Sequence, residues 1–314
     1  MKHALAAFLL FVLLLATPAF AQRIVVTGFD TPESVVHDPD ADVYLVSNVG
    51  VGDPGALDHN GFISRVSPAG VILKLKWIQD GVNGAVLNGP KGIAIRRDVL
   101  YVADIDTLRL FNRETGKPIA AIPLPNPFAP SPLFLNDVAV AEDGTAFISD
   151  NANGGIFKVD PSGNASVVST SADLGFPNGM LAQEPDNPMW VTWLGHQILS
   201  MNESGKISVI ASLPVVDVSS VGLPPGTLLL DGFVRLPDDR GFLVSSWVTG
   251  KVYQIGPSGK NIKTIASFVS IFDNPNNPDG PADINVDLKR NRLLVPLFDV
   301  NELVILPLPE NDEE

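Results

Sequence analysis

The 314-residue chain has no cysteine, four histidines and three tyrosines. Without cysteine there is no disulfide framework, no thiolate metal site and no cysteine nucleophile. Stability must come from a buried core, and a 45% hydrophobic content can build one. Past residue 22 only His37, His59 and His196 remain, a poor supply for a soft or borderline metal. Positive charge is also scarce, at 21 Lys and Arg against 35 Asp and Glu, for a net charge of −14. That balance argues against nucleic acid and against an anionic membrane as partners. No long stretch carries the 3.6-residue apolar period of a surface helix. Long apolar runs are missing too, with one exception at the start.

That exception is Ala4–Leu15, preceded by Lys2 and followed by Ala19-Phe20-Ala21. A positive start, a short apolar core and a small-x-small site predict a signal peptide over 1–21, cleaved after Ala21. Twelve apolar residues are too few to span a bilayer, which takes roughly 20. No cysteine follows the cleavage site, so a lipoprotein is excluded, and the expected location is periplasmic or secreted. The remainder divides into one domain over 22–309 and an acidic tail over 310–314.

What fills 22–309 is a repeat. Six short apolar strands end near a small or acidic residue: Val43–Asn48, Val99–Asp104, Thr145–Asp150, Met189–Trp193, Gly241–Ser246 and Arg292–Leu297. Each leads to a second strand, five of which end in a glycine turn such as Pro68-Ala69-Gly70 or Pro161-Ser162-Gly163. There Gly supplies the positive φ of a hairpin. Five more strands follow those turns. Ahead of every set lies another short segment, opening at Glu33, Lys91, Asn136, Asn178, Asp231 or Ala282. Four strands per repeat at this spacing predict an all-β, six-bladed β-propeller. The sixth repeat lacks its last strand, and Arg23–Phe29 is a spare one. Pairing it with Glu302–Pro309 closes the ring and removes an exposed edge.

In a propeller the innermost strands line one channel, so equivalent repeat positions form a ring. Glu33, Asn136, Asn178 and Asp231 share one such position, and their oxygens suit a hard cation such as Ca²⁺. Taken singly, Asn178-Gly179 and Asp231-Gly232 are also common turn dipeptides. Lys91, in the second repeat, is placed either to neutralise a substrate carboxylate or as a solvated lysine at a strand start. Asp283 opens the sixth repeat near the ring, within reach of a cation or a substrate. Trp190, Trp193 and Trp247 lie on or just after second strands and are expected to pack between blades.

Thr31-Pro32-Glu33-Ser34-Val35, Leu135-Asn136-Asp137, Pro177-Asn178-Gly179 and Leu230-Asp231-Gly232 stand in order at blade spacing. Together they resemble the SMP-30/gluconolactonase/luciferin-regenerating-enzyme group, and more broadly the paraoxonases and diisopropylfluorophosphatase. The resemblance spans the mature chain. It implies that Glu33, Asn136, Asn178 and Asp231 bind a catalytic divalent cation, usually Ca²⁺. It also implies hydrolysis of a small-molecule lactone, ester or phosphoester, with Asp231 as base or nucleophile. Val35 and Val138 depart from the family's usual residues, and no histidine pair of the paraoxonase kind can be placed. Tyr101-Val102-Ala103-Asp104 reads like an NHL-type propeller, which leaves open a non-catalytic protein that binds a ligand or a protein partner. A synthase-like chemistry using Asp283 is a third class.

Overall fold

The computed structural model describes residues 23–309; the expected signal peptide and acidic tail lie outside them. Strand β1 (Ile24–Thr27) comes first. Blade 1 is β2 (Pro32–Asp38), β3 (Val43–Asn48), β4 (Phe62–Val66) and β5 (Ile72–Gln79). Blade 2 is β6 (Pro90–Arg96), β7 (Val99–Asp104), β8 (Thr107–Asn112) and β9 (Pro118–Pro123). Blade 3 is β10 (Leu135–Val140), β11 (Ala146–Asp150), β12 (Gly155–Val159) and β13 (Ala165–Ser169). Blade 4 is β14 (Pro177–Ala182), β15 (Pro188–Thr192), β16 (Gln197–Met201) and β17 (Ile207–Ser212). Blade 5 is β18 (Leu230–Arg235), β19 (Phe242–Ser246), β20 (Lys251–Ile255) and β21 (Lys263–Ser267). Blade 6 is β22 (Asn285–Asp287), β23 (Arg292–Leu297) and β24 (Glu302–Pro307). All neighbouring strands within a blade are antiparallel, and β1 supplies the fourth strand of blade 6.

The innermost strands β2, β6, β10, β14, β18 and β22 touch in that cyclic order, and β22 returns to β2. The chain is therefore the expected six-bladed β-propeller. Middle strands such as β3 are buried along their whole length, because both faces of a blade meet neighbours. Outer strands such as β9 keep most of their residues at the surface. The core is divided accordingly. Six buried apolar clusters each fill one cleft between consecutive blades, as Leu45, Ile63, Leu100 and Phe111 do between blades 1 and 2. The cleft between blades 6 and 1 is filled by Val26, Phe29, Val35, Tyr44, Leu294 and Leu303. Two of these come from the N-terminal segment, so β1 closes the sheet and seals the cleft together. Its register sets Ile24 opposite Ile305 and Val26 opposite Leu303.

The chain direction sorts the connections onto two ends. The predicted turns at Gly70 and Gly163, with φ of 80° and 87°, lie at the end remote from the starts of the innermost strands. Every connection at that end is short. Long segments, such as 49–61, 213–229 and 268–281, gather at the end where the innermost strands begin.

Those strands begin irregularly. The register of β2, β6, β10, β14 and β18 against its neighbour slips at Pro32/Val35, Pro90/Ile93, Leu135/Val138, Pro177/Met180 and Leu230/Phe233. Each slip is a bulge, which re-aims one side chain and leaves an amide without its ladder partner. In blades 1, 3 and 5 a serine from the second strand takes that amide: Ser47 Oγ accepts from Ser34 N at 2.8 Å, Ser149 Oγ from Asp137 N at 2.9 Å, and Ser245 Oγ from Gly232 N at 2.7 Å. The sixth blade differs from the expectation that its first strand starts at Ala282. Pro281 and Asp283 make isolated bridges, and regular pairing begins at Asn285. Asp283 is drawn instead toward blade 1, where its N–H donates to Glu33 O at 2.9 Å.

Neighbouring strands approach closely beneath the bulges. A Cβ on Gly179 would lie 2.1 Å from Asp231 O, and one on Gly232 would lie 2.3 Å from Ile284 N. Both obstacles are backbone. Gly232→Ala should therefore cost about 3 kcal/mol or more in thermal or denaturant unfolding, because nothing soft can move aside. A variant with unchanged stability would show that the strands can separate there. Closure has its own test. Deleting residues 23–29 should expose β24 and yield an aggregating or strongly destabilised protein. Val26→Ala, which only trims the sealed cleft, should cost about 1–3 kcal/mol. A deletion protein that melts like the parent would mean the ring does not need β1.

Candidate active site

Each bulge aims one side chain at the channel. Glu33, Asn136, Asn178 and Asp231 are all buried there, and the structure brings them together. Asn136 Nδ2 donates to Glu33 Oε1 at 3.4 Å. Asp231 is close enough to Glu33 to act on its charge, and Asn178 is close enough to Asp231 to do the same. Buried polar atoms normally have a partner. Here Glu33 Oε2, Asn136 Oδ1, Asn178 Oδ1 and Asp231 Oδ1 have none. Among the described residues no cluster of three or more His, Cys, Asp or Glu side chains is arranged to hold a metal. The set at the channel contains two carboxylates and two amides, so its donor atoms are oxygens of mixed charge.

The backbone entering these strands is strained. Thr31, Phe176 and Leu229 have φ of 52°, 60° and 46°, a region that branched and bulky residues rarely occupy. Each stands two residues before Glu33, Asn178 or Asp231. The ends of the second strands hold this entry in place. Asp104 Oδ1 accepts from Gly89 N at 2.9 Å, Asp150 Oδ2 from Phe134 N at 3.2 Å, and Asn48 Oδ1 from Asp30 N at 3.1 Å. The small or acidic residues that punctuate the repeat are thus loop anchors.

A second layer lies one residue further along. Asp137 Oδ2 accepts from Met180 N at 2.6 Å, tying blade 3 to blade 4. Asp283 accepts from Ser34 Oγ, tying blade 6 to blade 1. Asp137 and Asp283 also face a cavity of about 310 Å³ at the far end of the channel. Four carboxylates, Glu33, Asp137, Asp231 and Asp283, thus share the buried axis. Desolvation pushes all four upward, to about 7 for Asp137 and about 8 for Asp231. For Glu33 the charges of Asp231 and Asp283 add to the rise, and Lys91 works against it.

Lys91 is buried at the ring position of blade 2. Its Nζ donates to Pro54 O at 2.8 Å and Gly89 O at 3.1 Å, and lies 4.2 Å from the centre of the Phe134 ring. Two of its three N–H groups are thus held by backbone. Burial pulls it down to about 8, opposed first by Glu33. His59 is an exposed loop residue paired with Asp80 at 2.9 Å.

Two of the three tryptophans depart from the packing role expected of them. Trp190 is fully buried and donates to Leu174 O at 2.9 Å. Trp193 and Trp247 are half-buried at the ring end, with centroids 6.0 Å apart, and Phe298 follows 5.2 Å from Trp247. Trp193, Trp247 and Phe298 occupy one repeat position in blades 4, 5 and 6. Their amides donate to Phe176 O, Leu229 O and Gly280 O, each just before an innermost strand. The sequence signal was an aromatic one residue past the second strand in three consecutive blades.

No protein-family model matches the chain, and no curated protein matches it significantly. Solved structures do. A gluconolactonase from Xanthomonas campestris aligns at 17% identity with a TM-score of 0.59, over 91% of this chain and 89% of that one. A putative gluconolactonase aligns at 17% identity and 0.58, over 93% and 96%. A streptogramin B lyase aligns at 10% identity and 0.58, over 90% and 97%. At these identities the likeness is one of fold alone.

Proposed function

We propose that this protein is an exported hydrolase of a small-molecule lactone or ester, working with a divalent cation, Ca²⁺, held by Glu33, Asn136, Asn178 and Asp231. The observation that carries the reading is the set of four partnerless oxygens on those side chains. Buried carboxylates and carbonyl oxygens without donors are costly unless a cation satisfies them. The surplus of negative charge along the axis points the same way, since among the described residues Lys91 is the only buried ammonium beside these four acids. The fold likeness to a gluconolactonase supports lactone chemistry by analogy.

Glu33, Asn136, Asn178 and Asp231 would hold the cation, which would supply Lewis-acid polarisation of a substrate carbonyl. The chain's residues do the rest. Asp231, through the carboxylate oxygen that is not on the cation, takes a proton from the attacking water as the water oxygen bonds to the carbonyl carbon. As the ring or ester C–O bond breaks, the same carboxyl returns the proton to the leaving oxygen. Lys91, with one free N–H, holds negative charge on the blade 2 side, and Asp283 stays tied to Ser34.

Asp231→Asn keeps an oxygen and the shape while removing the base. At saturating Ca²⁺, hydrolysis should fall roughly 10²- to 10⁴-fold, the usual worth of a positioned acid–base group. Full activity would take Asp231 out of the chemistry. No hydrolysis by the parent across a lactone and ester panel would favour a binding propeller.

The cation itself is tested through stability. The raised carboxyls make the folded protein hold more protons than the unfolded chain, from the unfolded value of 3.8 up to about 8. Metal-free stability should thus fall as pH rises across that window. A cation competes with those protons, so its stabilisation should grow over the same range. The melting temperature gained with Ca²⁺ over chelator should be larger at pH 8 than at pH 5. Equal melting in Ca²⁺ and chelator at pH 8 would remove the cation from the ring.

A further inference from the structure

The ring end is lopsided. Blades 1 to 3 bring Val49, Ile105 and Asn151 to the repeat position after the second strand, where blades 4 to 6 bring Trp193, Trp247 and Phe298. The three aromatics form one run, each in edge or tilted contact with the next. Gly280 lets that run sit low, since a Cβ there would lie 3.2 Å from the Trp247 ring. The segments beside it, 193–196, 213–229, 247–250, 268–281 and 298–301, contain no lysine or arginine. They expose Leu194, Val215 and Phe272. An anionic substrate would find no lysine or arginine there, whereas a flat apolar group would find an aromatic run to pack against.

One polar atom in the run is unexplained. Trp247 Nε1 is buried and has no hydrogen-bond partner. Buried indole N–H groups usually find an acceptor. The Asp231 carboxylate is the neighbour of this one, and the charged form of that carboxylate is the one the N–H favours.

We propose that the substrate is an aryl-bearing lactone or ester whose ring packs against Trp193, Trp247 and Phe298. This rests on the hydrolase reading and narrows it. It makes Trp193 and Trp247 specificity residues that act through their rings.

The test compares δ-valerolactone, its phenyl-substituted form and glucono-δ-lactone at saturating Ca²⁺. The phenyl lactone should have a kcat/KM at least about tenfold above the other two, as burial of an aromatic group allows. Trp193→Ala should raise KM for the phenyl lactone and shrink the preference to within about threefold. Trp193→Phe, which keeps a ring, should restore most of it. Trp247→Phe, which also keeps a ring, should retain most of the preference, and Trp247→Ala should lose it. Equal or better turnover of gluconolactone, or Trp193 variants that slow all three substrates alike, would overturn the proposal. Should no lactone be hydrolysed, the hydrolase reading fails, and binding decides the aromatic surface separately. A phenyl-substituted δ-lactam should then quench tryptophan fluorescence saturably, and more weakly in Trp193→Ala. Quenching no stronger than with the unsubstituted lactam would overturn it.

Discussion

A blade of this protein has two apolar faces and no core of its own. Each of the six buried clusters belongs to a pair of blades, so no blade is satisfied until both neighbours are present. The constraint is circular, and it makes the junction between the last blade and the first the deciding one. That junction has the β1–β24 pairing, the cleft sealed by Val26 and Phe29, and the Asp283 bonds to Glu33 and Ser34. At the end remote from the site, Asp287 accepts from Tyr44 at 2.8 Å and Arg290 at 2.9 Å, again joining blade 6 to blade 1.

The same circular contact builds the site. The innermost strands lie close enough that glycine is required at 179 and 232, and they bulge so that the preceding residue turns toward the axis. Asn178 and Asp231 are ring residues because Gly179 and Gly232 leave no other room. Where the second-layer residue is not glycine it bridges blades, as Asp137 and Ser34 do. Strain at Thr31, Phe176 and Leu229 is carried by the rigid ring beneath. Position, burial and the missing hydrogen bonds of the four oxygens therefore have one origin.

Much of this was legible because a repeat reports itself many times over. Val43–Asn48, Val99–Asp104 and Arg292–Leu297 were read to the residue, since burial on both faces leaves a continuous apolar run bounded by loop anchors. The spare strand could be assigned because the sixth repeat was short by one. Ring residues were found by phase alone. What escaped depends on angles between blades that a linear pattern does not carry. The first strand of blade 6 starts three residues late because Asp283 is drawn to blade 1. Lys91 folds back on Pro54 and Gly89, contacts across loops that no spacing encodes. Trp193 and Trp247 read as packing residues, and only the curvature of the ring turns them to its mouth.

The strand made first pairs with the strand made last. Thr31 and Asn301, bonded to each other at the junction, are separated by 270 residues. Such a fold has high contact order, and loop closure must be met before the final contacts reward it. A nascent chain holding five blades still presents two unsealed faces and an open edge, the features that make partly folded chains associate. Completion is therefore a late event in the life of the chain, and the interval before it is when the protein most depends on being kept apart from its own kind.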